Sequence, residues 1–394
     1  MITRRTFVGL AAGLAVGPVS WSPLTAEATT ERDPRLITIV LRGGLDSLHA
    51  LVPFSDPHYR RERPTLALPA PGSEGGPRAL DRRFALHPAL SFLFERYQQG
   101  EALLIPAAGT GYAQRSHFDG QNVLENGAST PFALGDGWMN RVLANLASGG
   151  ARKGLAVGHT VPLLLRGDTP VQTWAPSRLP EMTEDFHERV LRLYAHDATF
   201  EQALRKGIES NGVVSMNNLR KGRPRRALAP LAEAAGKLLS ANPGPRIAVM
   251  ESGGWDTHSA QAGRLQRTLG ELDTGLRTLR EHLADTWRDT VVLVISEFGR
   301  TIAENGTRGT DHGVGGMALL CGGAVQGGRV AGAWKGLAAA HRVSGRDVAV
   351  QTDYRALYKG VLRDHLGLSP RVIESRIFPD TSHVAPFDQL IRTV

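Results

Sequence analysis

The chain has 394 residues, 41% of them hydrophobic and 21% charged, which excludes a globally disordered polymer and leaves room for one large α/β core or two smaller ones. Its formal net charge of +8 comes mainly from arginines scattered along the sequence; with no clustered basic stripe and no recognisable motif, a nucleic-acid partner is not expected. The lone Cys321 cannot form an internal disulfide, so stability has to come from the core.

The first residues read Thr3-Arg4-Arg5-Thr6-Phe7-Val8, followed by the mildly apolar FVGLAAGLAVGPV and the small-residue site Ala26-Glu27-Ala28. This is the order of a twin-arginine export signal, so residues 1–28 are set apart from the fold and 29–394 are taken as one domain. The expected location is periplasmic or extracellular, with the twin-arginine translocase as a partner during export. No later stretch supplies the ~18 apolar residues that a spanning helix needs.

Five short apolar runs follow, LITIVL (36–41), ALLIP (102–106), RIAVM (246–250), VVLVIS (291–296) and MALLC (317–321). Continuous apolar runs are what strands of a parallel sheet show when helices cover both faces. Between them, RLQRTLGELDTGLRTLREHL (264–283) places Leu at 265, 269, 272, 276, 279 and 283, and YRALYKGVLRDHLGL (354–368) ends on Gly367; both have the helical period. The fold class is therefore α/β, an open and mostly parallel sheet. Residues 160–245 mix loop chemistry with helical stretches and are expected to form a mainly helical insertion, with GRPRR (222–226) and residues 70–82 as loops. The Gly-rich GGAVQGGRVAG (322–332) lacks the Lys-Ser/Thr of a P-loop and is expected to be a hairpin.

In an open parallel sheet ligands bind beyond the carboxyl ends of the strands. LITIVL is followed by Arg42-Gly43-Gly44-Leu45-Asp46-Ser47, where Asp46 either faces the crevice or caps a helix. ALLIP and its loop lead to Arg115-Ser116-His117-Phe118-Asp119, where Ser116 at a helix start is either a nucleophile or a cap. RIAVM leads to Gly253-Gly254-Trp255-Asp256-Thr257-His258; in an extended segment Asp256 and His258 project to the same side and can share an ion. VVLVIS ends on Glu297, with Arg300 three residues on, and Asp311-His312-Gly313 stands before MALLC. Asp46, Asp256, His258, Glu297, Asp311 and His312 together form an oxygen and nitrogen donor set that suits a divalent ion, zinc or manganese. Four carboxylates at one crevice would repel one another unless a cation neutralised them.

The motifs RGGLDSL, RSHFDGQ, GDGWMNR, GGWDTH, SEFGRT and GTDHG, in this order after a twin-arginine signal, resemble the bacterial family catalogued as domain of unknown function 1501, which is similar to the alkaline phosphatase and sulfatase superfamily. The resemblance implies an alkaline phosphatase-like fold with one or two metal ions beside a nucleophile. It implies Ser116 as that nucleophile, Asp256, His258 and His312 as one metal site, and Glu297 with Asp46 on a second metal. Phe298 stands where the superfamily carries the histidine of an Asp-His pair.

The leading functional expectation is a metal-dependent hydrolase of phosphate or sulfate esters, acting on an anionic small molecule or glycan ester. Ser116 would attack, and Arg300, Arg42, Arg115 and His117 would hold the anion. Two alternatives use the same site: a catalytically inactive binding or assembly protein of the cell envelope, and a phosphomutase-type transferase.

Overall fold

Strand β1 (Arg35–Leu41) lies at the middle of the main sheet and is buried along its whole length. Its alternate residues serve two cores: Ile37, Ile39 and Leu41 face one, Leu36 and Val40 the other. This double burial is why the sequence reads as an unbroken apolar run with no alternation. The computed structural model describes residues 32–146, 154–176, 184–194, 196–214 and 228–393. The described residues from Asp33 onward form one compact unit. The expected export signal at 1–28 and the expected loop at 222–226 lie outside the described residues.

The other strands of the sheet are β2 (Ala102–Gly109), β3 (Gly154–Val157), β4 (Val171–Trp174), β5 (Ile247–Ser252), β6 (Thr290–Ser296), β7 (Gly316–Cys321), β8 (Arg329–Val330) and β9 (Thr352–Asp353). The spatial order is β8-β2-β7-β6-β1-β5-β3-β4, with β9 also beside β2. Only β7 runs against its neighbours, pairing antiparallel with both β2 and β6. Its apolar sequence gave no sign of direction, because a strand buried on both faces looks the same either way. The expected hairpin at 322–332 is not formed: Arg329 and Val330 pair in parallel with Leu103 and Leu104 as an edge strand.

Helices cover both faces. On the Ile37 side lie α1 (Ser47–Ala50), α2 (Ser91–Gln98), α7 (Leu228–Ser240) and α8 (Gln261–Leu283). On the Leu36 side lie α3 (His117–Asn126), α4 (Trp138–Asn145) and α9 (Tyr354–Asp364). All six leucines of the predicted stripe in α8 are buried, which is the packing that fixes this helix. Within 160–245, residues 171–174 form the edge strand β4, and α5 (Glu184–Leu193), α6 (Ala198–Val214) and α7 follow. No helix among the described residues is long and apolar enough to cross a membrane.

Topology brings the sequence motifs together. The parallel strands β2, β6, β1 and β5 end at the same edge of the sheet, with Leu41 level with both Ser252 and Ser296. Because β7 is antiparallel, it starts at that edge, so the residues just before it join the residues just after the others.

Within α1, His49 is buried with neither ring nitrogen partnered, and its ring lies 5.2 Å from that of His87. Burial pushes His49 down to about 4 and His87 down to about 3. The unfolded chain therefore takes up protons on these imidazoles first, and stability present above about pH 6.5 is lost as the pH falls toward 4. Urea unfolding at pH 7 and pH 4 is expected to show a loss on the order of 3 kcal/mol from His49, and His49→Leu is expected to remove that share of the drop.

Candidate metal centre

The loop after β1 turns on Gly43, at φ +124°, and Gly44, at φ +76°. A side chain at Gly43 would come within 2.5 Å of the Asp256 backbone nitrogen, so glycine is what lets the β1 and β5 loops touch. Arg300, wholly buried, lies beneath them. Its guanidinium donates to the carbonyls of Gly44 at 2.7 Å, Thr310 at 3.0 Å, Trp255 at 3.2 Å and Gly43, and to Asp256 Oδ1 at 2.5 Å.

Three histidines surround Asp256. His258 Nε2 lies 2.9 Å and His312 Nε2 3.2 Å from Asp256 Oδ1, and the two imidazole nitrogens are 3.0 Å apart. His117 Nε2 lies 3.5 Å from Asp256 Oδ2 and is buried without a hydrogen-bond partner. One ligand atom each from His117, Asp256 and His312 fits within 4.8 Å of the others.

The far nitrogen of each ring fixes its proton. His312 Nδ1 is 3.0 Å from the Arg115 carbonyl, His117 Nδ1 is 2.8 Å from Glu297 Oε1, and His258 Nδ1 is 3.3 Å from Asp311 Oδ1. A carbonyl or carboxylate can only accept, so the proton sits on Nδ1 and, in each neutral ring, Nε2 presents a lone pair inward. Burial and the neighbouring His117 charge hold His312 below the ordinary imidazole range, which keeps it neutral. The hydrogen bond to Glu297 holds His117 above that range. Asp256, although its partial burial acts the other way, is held below the usual carboxylate range by Arg300. Nε2 of His258, Nε2 of His312 and Oδ1 of Asp256 thus face one another across about 3 Å, an arrangement that a shared cation resolves.

Glu297 does not face this point. It is buried, and its carboxylate accepts from His117, from Gly43 N at 2.8 Å, from Gln121 Nε2 at 3.2 Å and from Ser296 Oγ at 3.1 Å. Burial alone would raise its pKa, but these donors bring it below the usual value. It stands behind His117 as the group that orients the ring. Asp311 stands behind His258 in the same way. Phe298 forms the apolar wall under the cluster, with its ring 4.9 Å from His117 and 5.0 Å from His312.

Asp46 is elsewhere. Fully buried, it caps α1 through Leu48 N at 3.1 Å and pairs with Arg63 at 2.7 Å. It also accepts from Gln261 Nε2 at 2.5 Å, and Gln261 Oε1 in turn accepts from Thr257 Oγ1 at 2.8 Å and Thr310 Oγ1 at 2.6 Å. Through Gln261 it ties the loop after β1 to the loops that hold Thr257 and Thr310. The arginines expected to hold an anion are all engaged: Arg42 with Glu125 and Glu251, Arg115 with Asp347, and Arg300 as described. Ser116 caps α3, with Oγ accepting from Asp119 N at 3.4 Å, and is flanked by Arg115 and His117, which both touch the cluster. The orienting pairs and the Arg63 and Gln261 network carried no sequence signal, since their partners lie far apart in the chain.

Residues 33–377 match the family described as "Protein of unknown function (DUF1501)", and the chain belongs to that family. No curated protein matches the sequence. In fold it is similar to Ps i-CgsB in complex with k-i-k-neocarrahexaose (10% identity, covering 91% of this chain and 76% of that one, TM-score 0.42). It is also similar to the phosphonate monoester hydrolase of Agrobacterium radiobacter (12%, 86% and 74%, 0.36) and the alkaline phosphatase of the Antarctic bacterium TAB5 (14%, 74% and 92%, 0.35). At these values no residue correspondence follows from the likeness.

Removing Arg63 leaves the Asp46 carboxylate buried and uncompensated. Arg63→Met is expected to cost about 3–5 kcal/mol in denaturant unfolding, whereas Arg192→Ala, which breaks an exposed pair with Glu188 on α5, is expected to change stability by less than about 0.5 kcal/mol.

Proposed function

We propose that this member of the family is an exported hydrolase of phosphate or sulfate esters that depends on a single divalent ion held by His117, Asp256, His258 and His312. The observation that carries the reading is the convergence of imidazole nitrogens on Asp256 with every Nδ1 tied behind. Three imidazoles and one carboxylate suit zinc better than manganese, which favours oxygen donors. When bound, such an ion polarises an ester oxygen and offsets the charge that develops on it.

The chain's own groups do the rest. Glu297 and Asp311 keep the imidazoles in the tautomer that leaves Nε2 free. Ser116, at the N-terminus of α3, is the nucleophile, and the helix N-terminus favours a developing anion there. With Arg42, Arg115 and Arg300 each already paired, the backbone N–H groups of that helix end are the chain's own contact for the phosphate or sulfate.

A second reading keeps the ion and drops the chemistry: an envelope binding protein. The engaged arginines and Phe298 in place of a histidine favour it. Turnover separates the two. Ser116→Ala is expected to abolish hydrolysis of the esters that the zinc-loaded protein cleaves, with metal content unchanged; full metal occupancy without turnover of any ester by the native protein would leave only the binding reading.

Glu297→Gln is expected to weaken zinc affinity by about 10–100-fold, as measured by competition with a chromophoric chelator. Asp46→Asn is expected to lower stability and leave zinc content intact. Loss of zinc from Asp46→Asn protein that is still folded would return Asp46 to the ligand set.

A further inference from the structure

Beside this centre two exposed phenylalanines stand in ring contact. Phe118 is 73% and Phe132 57% exposed, and their rings lie 5.5 Å apart at 41°. Phe132 holds a left-handed backbone, φ +60°, a conformation that side-chain-bearing residues avoid. It is fixed there by its N–H donating to Asn122 Oδ1 at 2.6 Å, and Asn122 belongs to the same helix as Phe118. An exposed apolar pair with a strained, hydrogen-bonded backbone is the pattern of a surface kept for a ligand.

The helix places the pair at the rim of the centre. His117, Gly120 and Gln121 form the inner face of α3: His117 and Gln121 bind Glu297, and Gly120 packs on Phe298. Phe118 and Asn122 are the next stripe round. Helical side chains lean toward the helix N-terminus, so Phe118 leans back toward Ser116. The centre itself is open, with the side chains of Asp256 and His258 44% and 45% exposed. An open centre does not enclose the organic half of an ester, so recognition of that half falls to the rim.

The geometry points to Phe118 and Phe132 as the platform for the organic half of the substrate, and to an ester whose organic group carries a six-membered ring with an apolar face, aryl or pyranose. This rests on the hydrolase reading. It assigns the two phenylalanines to substrate binding, and they take no part in the bond-making step.

The test compares phenyl, glucosyl and ethyl esters of phosphate and sulfate on zinc-loaded native protein and on Phe118→Ala and Phe132→Ala. Both positions are exposed, so the variants are expected to unfold at the native midpoint. The native protein is expected to favour a ring-bearing ester over the ethyl ester, and each variant to raise KM for it by about 3–10-fold with kcat and the ethyl ester unaffected. Preference for the phenyl or the glucosyl member distinguishes an aryl from a sugar substrate. Equal KM for ring and ethyl esters in the native protein, or variants that shift all esters alike, would overturn the platform while leaving the hydrolase reading in place. If no ester turns over, that reading falls, and calorimetric binding of phenyl against ethyl phosphate decides the platform: tighter phenyl binding lost in Phe118→Ala supports it, and equal or absent binding overturns it.

Discussion

A guanidinium cannot shed its proton, so burying Arg300 obliges the surrounding chain to supply acceptors. Four carbonyls from the loops after β1, after β5 and before β7 do so, and Asp256 supplies the counter-charge. The three loops cannot move apart without leaving that charge unpaired in the protein interior, which is far more costly than any exposed ion pair is worth. Arg300 thus holds the site together from below, and the same bond fixes where Asp256 presents its second oxygen.

Above the guanidinium, charge alternates in layers. Glu297 and Asp311 are carboxylates facing outward-lying imidazole nitrogens, and the imidazoles face Asp256. Each carboxylate behind a ring selects one tautomer and limits its rotation, so the chain itself sets the geometry of the cluster. Deeper still, the Arg63–Asp46–Gln261 chain ends on the hydroxyls of Thr257 and Thr310, next to Asp256, His258 and Asp311. Every member of that chain is buried and hydrogen-bonded, the condition under which polar groups in an interior add rigidity.

Much of this was legible from the chain alone. The five apolar runs are all strands, because a strand packed on both faces must be apolar throughout. The polar residues at their ends mark the crevice edge, because parallel strands finish at the same side. The leucine stripe of α8 needed only its period. Asp256, His258 and His312 were legible as a cluster from residue chemistry and placement after or before strands.

What the sequence could not determine is who stands behind whom. Glu297 and Asp46 are carboxylates at strand ends as suited to an ion as Asp256, and only three-dimensional pairing shows Glu297 turned to His117 and Asp46 turned to Arg63. His117, read as a substrate contact, comes inward because α3 starts there. The reversal of β7, which brings His312 to the crevice, also has no local signature, since an apolar run carries no direction. Local chemistry and period are written in neighbouring residues, but the role of a charged group depends on its nearest opposite charge, and here those partners lie 17 to 180 residues away.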